Sequence, residues 1–212
     1  ELGAQLMARG DLKNAYQKFK MAIDFDPNYV PAHTMLAILD ERIKQPQEAE
    51  QEYRRALAID PKNGDTNNNL GVFLCKTGRE AEAMQHFKAA LADPFYKTPA
   101  MADTNAGACL ARNGDTAGAD QYLRKALQID PDYPDALYQM AHLQYAQNDA
   151  FHARAFLQRF ESQGQATPDS LLLGYQIETR MGDADAARSY ANRLRGQFPE
   201  SDQAQKLADS PQ

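Results

Sequence analysis

Cysteine is scarce. The 212-residue chain carries two, Cys75 and Cys109, too few for a disulfide scaffold or a four-thiolate zinc site. Long apolar runs are missing as well. A membrane-spanning helix needs roughly 18 or more consecutive apolar residues, and the nearest candidate, Leu171-Leu172-Leu173, is far shorter. An excess of positive charge is also missing. Lys and Arg number 23 against 29 Asp and Glu, a net charge of −6, which makes a nucleic-acid backbone a poor partner. The four histidines, His33, His86, His142 and His152, never fall three or four positions apart, so no helix offers a paired metal site. No glycine-rich phosphate loop is present, and no serine sits in a nucleophile elbow. The expectation is a protein that is not an enzyme and takes no cofactor or metal. The first residues carry no signal peptide, cleavage site or lipidation cysteine.

The 43 % hydrophobic and 25 % charged content suits a folded chain, and periodicity says how it folds. Residues Gly64–Leu91 hold two amphipathic helical patterns joined at Thr77-Gly78-Arg79. The small residue opening the second helix recurs at Ala15, Ala49, Ala83, Ala119, Ala153 and Ala187, in steps of 34 with one of 36. Turn positions precede it at Gly10, Lys44, Gly78, Gly114, Asn148 and Gly182. Glycine or asparagine adopts the left-handed backbone such a turn requires at low cost. Lys44 breaks this rule, so its repeat is expected to turn differently. Large residues follow at Phe19, Tyr53, Phe87, Leu123 and Leu157, and small ones in the first helices stand at Gly3, Ala37, Gly71, Gly107 and Ala141. Small against large lets helices approach closely.

A helix-turn-helix repeat of this length predicts an all-α, right-handed superhelical solenoid of six tetratricopeptide repeats. The expected boundaries are 1–29, 30–63, 64–97, 100–133, 134–167 and 168–201, with a cap and disordered tail at 202–212. The first repeat lacks the start of its first helix, so residues are expected upstream. In the sixth, Leu171-Leu172-Leu173-Gly174 lies one residue out of frame.

Three features stand out as sites. The inner wall of the array, lined by the first helices, places Asn68, Val72, Thr104, Arg112, Tyr138, His142 and Tyr145 on a mixed groove. There, Asn68 offers an amide to a peptide backbone, and the tyrosines offer flat amphipathic surface. The connection Ala92–Pro99 carries the extra residues of the long step, with Phe95 and Tyr96 either plugging a widened gap or forming an exposed recognition loop. Cys75 and Cys109 lie late in neighbouring first helices, whose axes stack about 8–10 Å apart. They read either as a disulfide or as two small buried thiols.

Thr66–Cys75 (TNNNLGVFLC), Ala90–Pro99 (ALADPFYKTP), Asn105–Cys109 (NAGAC) and Leu171–Tyr175 (LLLGY) resemble the type IV pilus biogenesis lipoproteins called PilF or PilW. The likeness runs over nearly the whole chain. It implies a pilotin or stability factor that helps the secretin pore localise and multimerise, or stabilises the fibre. It also implies a place at the periplasmic face of the outer membrane, held by an N-terminal lipid that is not in this sequence. The secretin subunit or another pilus assembly protein would be the partner, and the oxidising periplasm agrees with a Cys75–Cys109 bridge. The alternative is a general tetratricopeptide adaptor clamping a peptide of some other protein.

Overall fold

The computed structural model describes residues 1–164 and 166–208, the last as backbone alone. Among the described residues all regular structure is helical. The helices are α1 (Leu2–Ala8), α2 (Leu12–Phe25), α3 (Val30–Arg42), α4 (Pro46–Ile59), α5 (Gly64–Lys76), α6 (Glu80–Ala92), α7 (Pro99–Arg112), α8 (Thr116–Ile129), α9 (Pro134–Ala146), α10 (Ala150–Ser162), α11 (Pro168–Met181), α12 (Ala184–Gln197) and α13 (Asp202–Ala208). They form two compact units, Glu1–Cys109 and Leu110–Gln212.

In the first unit the hairpins are α1/α2, α3/α4 and α5/α6. Each packs because a large side chain of the second helix fills a notch left by a small residue of the first. A Cβ on Gly71 would lie 2.7 Å from the Phe87 ring, and one on Gly3 would lie 2.6 Å from Phe19. Neither position has room for a methyl group. Ala15, Ala49 and Ala83 are fully buried at the crossings, beside Phe19, Tyr53 and Phe87. Burying one such aromatic contributes about 2–3 kcal/mol.

The second unit repeats this logic in α9/α10 and α11/α12, with Ala153, Leu157, Ala187 and Leu194 buried, and α8 likewise buries Ala119 and Leu123. The frame shift of the last hairpin has a simple resolution. Tyr190, rather than Ala191, enters the notch over Gly174, and its hydroxyl donates to Glu161 Oε2 at 2.7 Å. Notch and knob have moved back together. Helix α13 packs on this unit by laying Ala204 and Leu207 on Leu171 and Leu194. The tail Asp209–Gln212 lies outside the described residues.

Four of the second helices, α2, α8, α10 and α12, begin on side-chain caps. Asp11, Asp115, Asp149 and Asp183 accept from the backbone amides of Asn14, Gly118, His152 and Ala186. A cap of this kind contributes about 1 kcal/mol.

The turns correct one expectation. Lys44 sits at φ 62°, in the same left-handed region as Gly10 at 81°, Gly78 at 80° and Asn148 at 65°. Gln45 N–H closes onto the Asp40 carbonyl at 2.8 Å, matching Arg79 on Leu74 at 2.8 Å and Asp149 on Gln144 at 2.9 Å. The turn is conformationally the same in all of these hairpins. Packing of the two helices imposes it, and lysine bears the strain.

Candidate functional site

The first helices α3, α5 and α7 are positioned side by side by a ladder of small polar contacts. Thr34 and Thr66 share a hydrogen bond of 2.7 Å, and Asn105 Nδ2 donates to Asn68 Oδ1 at 3.0 Å. This changes the role of two residues expected to face a partner. Asn68 is 1 % exposed and its carbonyl oxygen is already engaged. Thr104 is buried too, with its hydroxyl turned back to the Ala100 carbonyl at 2.7 Å. Both support the wall from behind. Two of the three successive asparagines of α5 thus have structural partners: Asn68 joins α5 to α7, and Asn67 donates to the carbonyls of Pro61 and Asn63, both at 3.0 Å.

Val72 remains half-buried on the open side. It lines a cleft of about 430 Å³ with Ile38, Glu41, Arg42, Tyr53, Asn69 and Lys76. Within it, the Tyr53 hydroxyl donates to Glu41 Oε1 at 2.7 Å. Burial, then that carboxylate, push the phenol of Tyr53 well above its ordinary range.

In the second unit Tyr138 is half-buried and packs at a tilt on Phe160, ring centroids 5.6 Å apart. Burial and the charge of Asp169 push its hydroxyl up to about 12. His142 is exposed, as is Arg112. The Tyr145 ring is covered by the Arg180 guanidinium at 3.8 Å, which also donates to the Tyr145 carbonyl at 2.7 Å. Two flat, amphipathic tyrosines thus stand on α9, one stacked and one capped by a cation.

The connection before α7 divides its two aromatics. Tyr96 is buried over Gly64, where a Cβ would lie 2.7 Å from it, and joins Ala90 and Ala102 in a small core. Asp93 completes the fit, accepting the Gly64 amide at 3.0 Å and so capping α5 from 29 positions away. Phe95 points outward, 86 % exposed. Tyr96 therefore fills the gap, while the ring one residue before it faces outward.

Cys75 and Cys109 form a disulfide between α5 and α7, with Cα atoms 5.9 Å apart. It lies on the same inter-helix seam as the Asn68–Asn105 contact.

Two polar arrangements were missed from the sequence. His33 Nδ1 meets Glu52 Oε2 at 2.6 Å, and in the next hairpin His86 Nδ1 meets Asn67 Oδ1 at 2.9 Å. The pairs occupy the same two positions of successive repeats, so the period itself held the signal. Burial holds His86 below the ordinary histidine range. On the outer side, Arg79 grips both oxygens of Glu50 at 2.8 Å and also Glu82. Arg54 touches the same two carboxylates, and these hydrogen bonds, that from Arg79 foremost, hold Glu50 below its usual range.

Comparison with known proteins adds to this geometry. The Tetratricopeptide repeat family matches residues 42–94 and 110–173. The type IV pilus assembly protein PilF of Pseudomonas aeruginosa is 31% identical over 201 residues, which is 95% of this chain and 80% of that protein. The chain belongs to the PilF/PilW family of type IV pilus biogenesis tetratricopeptide proteins. Two solved members of the family share its fold. The crystal structure of PilW, a widely conserved type IV pilus biogenesis factor, has a TM-score of 0.90 at 32% identity, covering 98% of this chain and 95% of that one. The structure of Pseudomonas aeruginosa PilF gives 0.84 at 31% identity, with 98% and 93% covered. The all-α tetratricopeptide fold expected from the 34-residue period is therefore the family fold.

Proposed function

We propose that this chain is a non-enzymatic protein-binding scaffold that acts as a pilotin. It assists the secretin of the type IV pilus machinery to reach the outer membrane and multimerise there. An N-terminal lipid outside this sequence would hold it at the periplasmic face. The observation that carries the reading is the match to PilF along nearly all of this chain, including the helices that bear the candidate surfaces. The disulfide supports it, because such bonds persist in oxidising compartments. The open first-helix residues, Val72 in one unit and Arg112, Tyr138, His142 and Tyr145 in the other, are the surfaces each unit offers to the partner.

The test is complementation. The full-length, lipidated protein is expressed in a bacterium whose PilF-type gene is deleted, and secretin multimers resistant to detergent are followed in outer-membrane fractions. Restored multimers are expected. Secretin that stays monomeric beside an abundantly expressed chain rejects the pilotin reading.

A further inference from the structure

The cleft between α3 and α5 is bordered by more cations than carboxylates. Its floor is apolar, from Ile38 and Val72. A second hollow of about 290 Å³ adjoins it, and Glu41 and Lys76 line both. Three cations border the pair: Arg42, Lys76 and, on the second hollow, Lys44. The one carboxylate there, Glu41, is already engaged. Oε1 accepts from Tyr53 at 2.7 Å, and Oε2 lies 3.5 Å from Lys76 Nζ. Arg42 Nη1 donates to a neutral acceptor, the Met7 carbonyl, at 3.3 Å. Among the described residues neither Arg42 nor Lys44 lies within ion-pair distance of a carboxylate. In a chain of net charge −6, this trough carries a local positive excess beside an apolar floor.

We propose that the trough holds an extended segment of the partner protein in which an aliphatic side chain is flanked by acidic ones. The aliphatic group enters between Ile38 and Val72, and the carboxylates meet Arg42, Lys44 and Lys76. Asn69, half-buried on the same wall, has an amide able to give and accept hydrogen bonds with the segment's backbone. Lys44 is well suited to its part, since the left-handed turn at φ 62° fixes where its side chain starts. Opposite charges across such a contact mainly select the partner and speed its arrival, while the apolar contact holds it. This inference rests on the reading that the chain binds a protein partner.

The experiment uses short, end-blocked fluorescent peptides with one leucine between paired aspartates or paired lysines, and reads anisotropy. The aspartate probe is expected to bind at least about tenfold tighter than the lysine probe, a difference of ~1.4 kcal/mol. Its advantage over the lysine probe should fade near about 1 M salt, where screening shortens to about 3 Å. Val72→Glu and Lys76→Glu should each abolish the preference at unchanged helix content. Lys44→Asn, which keeps a side chain tolerated in the left-handed turn, guards against misfolding and should weaken the aspartate probe a few-fold. Equal binding of both probes, no binding of the aspartate probe, or full binding by Val72→Glu overturns the proposal. Val72→Glu that still restores secretin multimers in the complementation assay also overturns it and leaves the pilotin reading standing. Failure of the unmodified chain in that assay rejects the pilotin reading instead, without touching the probe preference.

Discussion

His33 Nδ1 lies 2.6 Å from Glu52 Oε2, and the other ring nitrogen lies 3.0 Å from the Pro27 carbonyl. Both groups are buried, so each depends on the other to stay satisfied. Removing Glu52 alone should cost about 1–3 kcal/mol, because a buried polar ring then loses its partner. The neighbouring hairpin solves the same problem with Asn67 and His86. Transplanting that pair, His33→Asn with Glu52→His, should recover stability to within about 1 kcal/mol of the native chain. Urea unfolding of Glu52→Ala and of the double variant checks both; a double variant as weak as the single one refutes the equivalence of the two sites.

Asp40 is a buried carboxyl of the first unit. Its Oδ1 is buried and, among the described residues, has no hydrogen-bond partner. Burial, then the nearby Glu52 and Glu48, raise its carboxyl to about 6 from 3.8. The folded state therefore binds a proton that the unfolded chain has released between those two values, and stability falls as pH rises through that window. The matching position one repeat on is Leu74, which is fully buried. Asp40→Leu should stabilise the protein by about 1–3 kcal/mol at neutral pH and by much less near about pH 4. Unfolding curves at the two pH values measure this, and an equal gain at both would contradict it.

Phe95 and Tyr96 should respond oppositely to truncation. Tyr96→Ala opens a hole over Gly64 and should cost about 3–5 kcal/mol, whereas exposed Phe95→Ala should change stability by no more than about 0.5 kcal/mol. Thermal melts of the two variants decide the matter.

The disulfide closes a loop across the seam between α5 and α7, with a sequence separation of 34. Thiol labelling of the oxidised, denatured protein should find no free cysteine. Replacing both cysteines with serine should cost about 3–4 kcal/mol in the chain-entropy view. Two labelled thiols would rule the bond out.

Second-helix positions were the most legible part of the chain. Ala15, Ala49 and Ala83 could be found by counting alone, because a notch that admits only a small residue recurs wherever two helices cross at the same angle. Lys44 was misread for the opposite reason. Its intrinsic preference argues against a left-handed turn, but two packed helices outweigh the roughly 1 kcal/mol at stake. Asn68 was misplaced because helical phase alone does not say how close the next hairpin comes.

Local spacing, then, determined the helices, their hairpins and the large-into-small packing, since each depends on residues within one repeat. What the tertiary structure alone decided is which polar groups the neighbouring helix covers. It turned Asn68 inward onto Asn105, sent Tyr96 under α5 while leaving Phe95 out, and gathered Arg42, Lys44 and Lys76 around one engaged carboxylate. Those outcomes depend on distances between residues some thirty positions apart, where a few ångströms separate an open amide from a buried one.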